Sequence, residues 1–261
     1  MKDMIIDDVV PYLKSTYNLP YIFHCNIQTA GVGETQLADR LIDFEKNKDP
    51  RIKLAYLPNI GKVRLRLTIK GEDAEELNAV LENAKNEVVS CIEEHIYGFG
   101  NDLLEQKIGE LLLEKNLTIG TAESCTGGYL AHLITSIPGS SAYFKGSVIA
   151  YSNEIKQHFL GVKEETLTSF GAVSEQTVSE MVAGALKHLN VDIAVAISGV
   201  AGPTGGTPEK PVGTVVIGIG NKEKTIVKKL SFTNHRDRNI QLAAVVALVM
   251  TRKFLLNQLK D

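Results

Sequence analysis

The run Val191-Asp-Ile-Ala-Val-Ala-Ile197 constrains the fold more than any other stretch, because Asp192 is its one polar position. A strand exposed on one face alternates apolar and polar residues, whereas a strand covered on both faces is a nearly continuous apolar run. Other apolar runs of strand length alternate with helical patterns around it. This alternation predicts a layered α/β domain with a mixed sheet. Within residues 101–261, the pattern predicts strands at 117–120, 147–151, 191–197, 212–219 and 225–232, and helices at 103–113, 129–137, 153 onward, 174–189 and 236–258.

The first hundred residues predict a separate, smaller α+β domain, residues 1–100. Alternating segments flank the turn signal Pro58-Asn-Ile-Gly61, and a long amphipathic pattern follows from Ala74 to Tyr97. The predicted strands are 21–28, 52–57 and 63–69, and the predicted helices are 4–17, 34–47 and 74–97.

Composition and charge exclude several functional classes. Residues 1–100 contain 12 Lys or Arg against 16 Asp or Glu, and residues 101–261 contain 16 against 15. Neither half has the basic surplus that typifies a nucleic-acid-binding domain. The longest apolar run, residues 242–250, is too short to span a bilayer and predicts a buried helix instead. We therefore expect neither a nucleic-acid partner nor a membrane.

The cysteines favour a reducing compartment. Cys25, Cys91 and Cys125 are odd in number and share no metal-ligand spacing. Reduced thiols are typical of cytoplasmic proteins. The first eight residues also lack the apolar core of a signal peptide, and we expect a cytoplasmic location.

The stretch Thr121-Ala-Glu-Ser-Cys-Thr-Gly-Gly128 is the first candidate site. It follows a predicted strand and opens a helical pattern, so it places Ser124 and Cys125 at a strand-to-helix turn. Such a turn can expose a hydroxyl and set backbone N–H donors beside it for an oxyanion or a phosphate. A capped helix start made of small residues is the alternative explanation of the same pattern.

A second polar cluster favours chemistry over capping. Ligands of open α/β sheets bind at the carboxyl ends of strands, and Ser124, Tyr151 and Ser198 all fall at such ends. A serine nucleophile needs a base. No histidine makes a persuasive triad, although His235 is in a suitable loop. Lys156, at the start of the helix after Tyr151, could be that base, since burial and a helix N-terminus disfavour its charged form.

Five motifs occur in one order along residues 101–261, and together they resemble the CinA C-terminal family, the nicotinamide-nucleotide amidases. They are Thr121–Gly128, Tyr151-Ser-Asn-Glu-Ile-Lys156, Gly171-Ala-Val-Ser174, Ile197-Ser-Gly-Val-Ala-Gly-Pro203 and Lys210-Pro-Val-Gly-Thr214. Residues 1–100 resemble the KH-like segment that precedes this domain in longer CinA proteins. No G-x-x-G loop occurs in those residues, so RNA binding of the KH type is not expected.

The resemblance implies hydrolysis of nicotinamide mononucleotide to nicotinic acid mononucleotide and ammonia, without a metal or other cofactor. It implies that Ser124 is the nucleophile, Lys156 the base and Tyr151 a residue that relays or orients the proton. Arg236 would hold the substrate phosphate, although the Gly-Asp that usually precedes this arginine is Asn234-His235 here. The other substrate-binding positions implied are Cys125, Thr126, Gly127, Gly128, Asn153, Ser198, Gly199, Ala201, Gly202 and Thr204.

Several alternatives stay open from the sequence. Cys125 could replace Ser124 as the nucleophile, Asn153 could be only a helix cap, and Thr204 could cap or contact a ligand. The amidated substrate could be another pyridine nucleotide. The chain could instead be a partner-binding protein associated with competence or DNA damage, and the resemblance also implies a homodimer.

Overall fold

A computed structural model describes residues 2–260, which form two compact units. The first contains the described residues up to Thr29 together with Glu34–Pro58 and Val63–Gly100. The second contains Asn101 and the residues after it, with the short segments Ala30–Gly33 and Asn59–Lys62. Each unit has its own sheet.

The first unit is an α+β fold with a four-stranded sheet. Its elements are α1 (Lys2–Met4), a π-helical turn (Ile5–Val9), α2 (Val10–Thr16), β1 (Tyr21–Ala30), α3 (Glu34–Arg40), α4 (Ile42–Asn47), β2 (Lys53–Asn59), β3 (Lys62–Gly71), α5 (Ala74–Ile92), a 3-10 turn (Glu93–His95) and β4 (Ile96–Phe99). The strand order is β2-β3-β1-β4. Alternate residues of β3 are buried, as its alternation of apolar and basic residues predicts.

Two predictions for this unit are wrong in detail. The single helix expected over residues 34–47 is divided at Leu41 into α3 and α4. The long helix expected to reach Tyr97 ends at Ile92, and the residues from Ile96 form β4 instead. β4 pairs antiparallel with β1, seventy residues earlier in the chain, with Ile27 opposite Phe99. A local pattern cannot reveal a partner at that distance.

The second unit is a layered α/β fold. Its elements are α6 (Leu104–Glu114), β5 (Ile119–Glu123), α7 (Tyr129–Thr135), a 3-10 turn (Ser140–Ala142), β6 (Phe144–Ile149), α8 (Asn153–Leu160), α9 (Glu164–Phe170), α10 (Glu175–Leu189), β7 (Ile193–Gly199), β8 (Thr214–Gly220), β9 (Thr225–Ser231) and α11 (Arg236–Leu255).

The sheet of the second unit is mixed, in the order β6-β5-β7-β8-β9. β5 pairs in parallel with β6 and β7, and the pairs β7-β8 and β8-β9 are antiparallel. β8 is buried throughout, as is β7 up to Ser198, which is what a sheet covered on both faces requires. The predicted fold class, a layered mixed-sheet α/β domain with a smaller α+β domain before it, is confirmed.

This topology brings five chain segments to one edge of the sheet, by which we mean the edge formed by the ends of its strands and not an outermost strand. The carboxyl ends of β5, β6 and β7 lie there because the three strands are parallel. The antiparallel pairing adds the start of β8 and the end of β9, where Thr214 faces Ser231. The residues that follow these ends carry the candidate site.

The predictions of helix caps and short helices in this unit are right at some positions and wrong at others. Ser174 caps α10 as predicted, and its hydroxyl accepts the amide of Thr177. The cap of α8 is Ser152, which accepts the amide of Ile155; the prediction of Asn153 as that cap is wrong by one residue. Helix α9 was not predicted, since only Thr166 and Leu167 in it are buried and no apolar stripe marks it. Within residues 2–260, no helix is both long and apolar enough to cross a membrane.

Candidate active site

Ser124 occupies the turn between β5 and α7. Its amide donates to the carbonyl oxygen of Ile197 at 2.9 Å, so the pairing of β5 with β7 continues into the turn. The chain then reverses through Gly127 and Gly128, whose φ angles of +59° and +99° lie in the left-handed region that favours glycine. The Ser124 side chain is buried. The two glycines therefore serve the shape of this turn.

Glu123 fills the N-terminus of α7. Its carboxylate is fully buried and accepts the amides of Gly128 at 3.1 Å, Leu130 at 3.0 Å and Ala131 at 2.8 Å. These are the helix-start donors that the sequence suggested for a phosphate or an oxyanion. The suggestion is wrong for them, because a carboxylate of the chain itself already satisfies them.

Two backbone amides remain for an oxyanion at this turn. The amide of Gly127 donates to the carbonyl oxygen of Ser124 at 3.1 Å, and that of Gly128 is held by Glu123. The amides of Cys125 and Thr126 are therefore the backbone donors of this turn that stay available for an oxyanion. The Thr126 hydroxyl is also buried and has no hydrogen-bond partner in the described part of the chain.

Lys156 lies against Ser124. Its Nζ is 3.0 Å from Ser124 Oγ and donates to the carbonyl oxygen of Ala150 at 2.8 Å. The side chain is 1% exposed, although α8 carries exposed residues on both sides of it. A surface lysine on a solvated face, the ordinary explanation of a lysine in a polar helix, is therefore excluded.

Burial sets the charge of this lysine. Removal from water disfavours the ammonium and lowers the pKa of Lys156 below its ordinary value. A neutral amine can use one N–H for Ala150 and turn its lone pair to the Ser124 hydroxyl, which then donates. This is the arrangement of a nucleophile beside its general base.

Cys125 is poorly suited to replace Ser124. Its side chain is 7% exposed, and burial raises the pKa of its thiol to about 12. A thiol nucleophile acts as the thiolate, so Cys125 is held in the unreactive form. Its sulfur also packs against the end of β7, where a Cβ added to Gly199 would lie 3.1 Å from Sγ. This packing explains why Cys125 is buried and why residue 199 is a glycine.

Tyr151 and Arg236 form a second contact pair at the same edge of the sheet. Arg236 Nη2 donates to the Tyr151 hydroxyl at 3.0 Å, and Nη1 donates to the carbonyl oxygen of Gly202 at 3.0 Å. Tyr151 is 59% exposed. Among the hydrogen bonds of the described residues, its hydroxyl meets Arg236 and neither Ser124 nor Lys156. The expected proton relay is not formed, because Tyr151 follows β6 on the solvent side while Lys156 points into the unit.

The remaining predicted binding residues differ in their availability. Ser198 is buried and its hydroxyl donates to the carbonyl oxygen of Ala172 at 2.7 Å, which ties β7 to the turn before α10. The Ala201 carbonyl accepts from Asn239 at 2.9 Å. Asn153 and Thr204 are exposed, the first in the first turn of α8 and the second in the loop 200–213.

An open cavity lies beside Arg236. It has a volume of about 430 Å³ and is lined by Pro203, Asn234, His235, Arg236, Asp237 and Arg238. Cavities of about 570 and 350 Å³ lie at the hairpin between β8 and β9, at the opposite edge of the sheet from Ser124. Of these three cavities, the one at Arg236 adjoins the candidate site, and its two arginines suit an anionic group.

Sequence reasoning missed two residues that shape the site. The sequence predicts Glu123 only as a flanking residue for packing and orientation, and not as the carboxylate that accepts the α7 amides. Asn239, which is 1% exposed, is not indicated by the sequence. It stands in the polar first turns of α11, where its neighbours give no periodic signal that it is buried.

Comparisons with known proteins identify the family of this chain. The family profile of the CinA C-terminal domain matches residues 101–255, and that of the damage-inducible protein CinA KH domain matches residues 24–98. A CinA-like protein of Cytophaga hutchinsonii is 47% identical over 255 residues, and one of Flavobacterium psychrophilum is 42% identical over 257. The alignments cover 98% of this chain and 61% and 62% of those relatives, so the chain spans about three fifths of their length.

Solved structures give the same result. The crystal structure of the competence/damage inducible protein CihA from Agrobacterium tumefaciens is 37% identical, with a TM-score of 0.56, over 59% of this chain and 93% of that one. A CinA superfamily protein from Klebsiella pneumoniae is 34% identical, with a TM-score of 0.58, over 59% and 96%. The two profile matches and the identities over nearly the whole sequence lead to one conclusion: this chain belongs to the CinA family.

Proposed function

We propose that the chain hydrolyses the carboxamide of nicotinamide mononucleotide, releasing ammonia and nicotinic acid mononucleotide. The observation that carries the proposal is the buried amine of Lys156, 3.0 Å from the hydroxyl of Ser124. A buried lysine with a lowered pKa beside a serine is what acyl transfer needs. Membership of the CinA family supports the substrate, since the sequence motifs resemble those of its nicotinamide-nucleotide amidases.

The first half of the proposed reaction forms an ester. Ser124 Oγ attacks the carboxamide carbon while its proton passes to Lys156 Nζ. The oxygen of the carboxamide becomes an oxyanion, and the amides of Cys125 and Thr126 are the donors that we propose for it. Removal of one such donor costs about 3–4 kcal/mol of transition-state stabilisation in other hydrolases. The tetrahedral species then collapses as Lys156 returns the proton to the leaving nitrogen, and ammonia departs.

The second half regenerates the enzyme. A water attacks the ester carbon and gives one proton to Lys156. A second tetrahedral species collapses, the bond to Ser124 Oγ breaks, and Lys156 returns the proton to that oxygen. The product acid then loses its remaining proton to solvent and leaves as the carboxylate. The carbonyl of Ala150 accepts an N–H of Lys156 and so keeps the amine in place through both halves.

Arg236 is the proposed partner of the substrate phosphate. It lies at the first turn of α11 beside the 430 Å³ cavity, with Arg238 in the same lining. A guanidinium has five N–H donors, and its contacts with Gly202 and Tyr151 leave others for a phosphate. Tyr151 would then hold the guanidinium in position rather than carry the proton.

The test is ammonia release from nicotinamide mononucleotide by the purified chain and by Ser124→Ala and Lys156→Met. The methionine keeps the volume of the buried side chain without its amine. Ser136→Ala, an exposed serine just after α7, is the matched control. We expect turnover by the intact chain and the control, and a loss of at least about a thousandfold in the two site variants.

Three results would go against the proposal. Turnover that survives Ser124→Ala would move the nucleophile elsewhere. Faster release from another pyridine nucleotide than from the mononucleotide would change the substrate. No release by the intact chain from any nicotinamide nucleotide would favour a partner-binding protein instead.

A further inference from the structure

We propose that Asn239 is a positioning residue. It fixes the loop 200–213 and Arg236 in the arrangement that binds the substrate phosphate. The inference rests on the proposed function for its kinetic consequence and on geometry for its structural one. Asn239 is in the second turn of α11, three residues after Arg236, and its side chain is 1% exposed.

The amide group of Asn239 makes four hydrogen bonds. Nδ2 donates to the carbonyl oxygens of Ala201 and Thr233, each at 2.9 Å. Oδ1 accepts from the amide of Thr233 at 3.0 Å and from its hydroxyl at 2.9 Å. A buried side-chain amide has two donors and one acceptor oxygen with two lone pairs, and here all four positions are used.

These contacts join two separate loops. Ala201 belongs to the loop that follows β7, and Thr233 belongs to the segment that follows β9. Arg236 makes a parallel connection, since its guanidinium donates to Gly202, the residue next to Ala201. The position of the guanidinium relative to the loop is therefore set at two adjacent carbonyls, one held by Arg236 and one by Asn239.

The buried contact is the more durable of the two. Arg236 is exposed, so its bond to Gly202 competes with water and with an incoming phosphate. Asn239 is shielded from both, and loss of its donors would take the hydrogen bond away from the buried Ala201 carbonyl and from the partly buried Thr233 carbonyl. While the remaining donors of Arg236 bind a phosphate, Asn239 holds the loop that carries Gly202 in place.

The substitution that tests this is Asn239→Asp. It preserves shape and the acceptor side but replaces the Nδ2 donors by an oxygen that faces the carbonyls of Ala201 and Thr233. Thr233→Val is a second variant, in case the first does not fold. It removes the hydroxyl's bond to Asn239 and also the acceptor of the His235 amide, so only its effect on residues 200–213 is compared. The control is Thr251→Val, because Thr251 is 1% exposed on the same helix and bonds only within it, to the carbonyl of Ala247.

Two readouts separate positioning from general stability. In hydrogen exchange, we expect faster exchange in residues 200–213 and 232–236 of Asn239→Asp, and no such change in Thr251→Val. In kinetics, we expect KM for the mononucleotide to rise about tenfold with kcat within about threefold, while KM for the unphosphorylated nicotinamide riboside stays unchanged.

The outcomes are distinguishable from those of the proposed function. If the intact protein releases no ammonia, the proposed function fails and hydrogen exchange alone decides on Asn239. Exchange in the two loops that matches the control, or a KM increase of equal size for the riboside and the mononucleotide, would overturn the positioning role.

Discussion

Lys156 combines two properties that a lysine seldom has together. Its amine is buried, and among the hydrogen bonds of the described residues no carboxylate accepts from it. An ammonium in that position would lose hydration without gaining an ion pair, which is why its pKa is lowered. The same feature that costs stability therefore favours the neutral amine, the form that can act as a base.

The pH dependence of stability follows from this lowered pKa. Below the folded-state pKa, Lys156 is charged in both states and the folded protein bears the full cost of burying it. As pH rises from that value toward about 10.4, the unfolded state binds more protons than the folded state, so stability increases. We expect the unfolding free energy of the intact chain to rise relative to that of Lys156→Met over this range. Urea titrations of both proteins from neutral to alkaline pH measure it, and parallel curves would contradict it.

Cys125 gives a second prediction at this scale. Because burial raises the pKa of its thiol to about 12, it should react far more slowly with iodoacetamide than the exposed Cys91 does. We also expect Cys125→Ala to keep activity within about threefold of the intact chain. Peptide mass spectrometry of the alkylated native protein measures the first effect. Rapid labelling of Cys125, with protection by substrate, would return it to consideration as the nucleophile.

The positions of some site residues can be predicted from the sequence, and those of others cannot. Ser124 and Lys156 follow strands that end at one edge of the sheet, so their proximity follows from the predicted topology, while their roles remain predictions. The buried contacts of Glu123 and Asn239 could not be foreseen. A carboxylate or an amide in a polar stretch has no local mark of burial, because its partners come from other segments of the chain.

At the scale of elements, α7 depends on Glu123 for its start. Its own N-cap is Gly128, which has no side chain to accept an amide. Glu123→Gln would turn an N–H of the new amide toward backbone donors, and we expect a loss of about 1–3 kcal/mol in unfolding free energy. Thermal and urea unfolding measure it, with the exposed Glu114→Gln as the control. Equal stabilities of the two variants would mean that the buried carboxylate is not needed.

The contact between α8 and α10 is equally specific. A Cβ at Gly184 would overlap the carbonyl oxygen of Leu160, the last residue of the helix that carries Lys156. Alanine in place of a helix-interior glycine normally stabilises by about 1 kcal/mol. Here we expect Gly184→Ala to destabilise by about 1–3 kcal/mol and to lower kcat, since α8 must move to make room. A stabilised variant with full activity would show that the packing is looser than the structure has it.

For the whole molecule, the pattern of buried strands was sufficient to predict the mixed α/β sheet and a smaller α+β unit before it. The errors are β4, α9 and the divided helix at Leu41. β4 is shaped by its pairing with β1, which lies far away in sequence, whereas α9 lacks an apolar stripe. The relatives are longer than the part of them that this chain matches. The proposed activity therefore concerns only the candidate site in the second unit.

The mass of the protein during turnover tests the serine nucleophile most directly. The intact chain would be mixed with nicotinamide mononucleotide, quenched in acid after short intervals and analysed by tandem mass spectrometry of the peptide that contains Ser124. We predict an adduct on Ser124 equal to the substrate minus ammonia, which forms and then decays. Ammonia release without any adduct, or an adduct on the neighbouring Cys125, would contradict a serine nucleophile with Lys156 as its base.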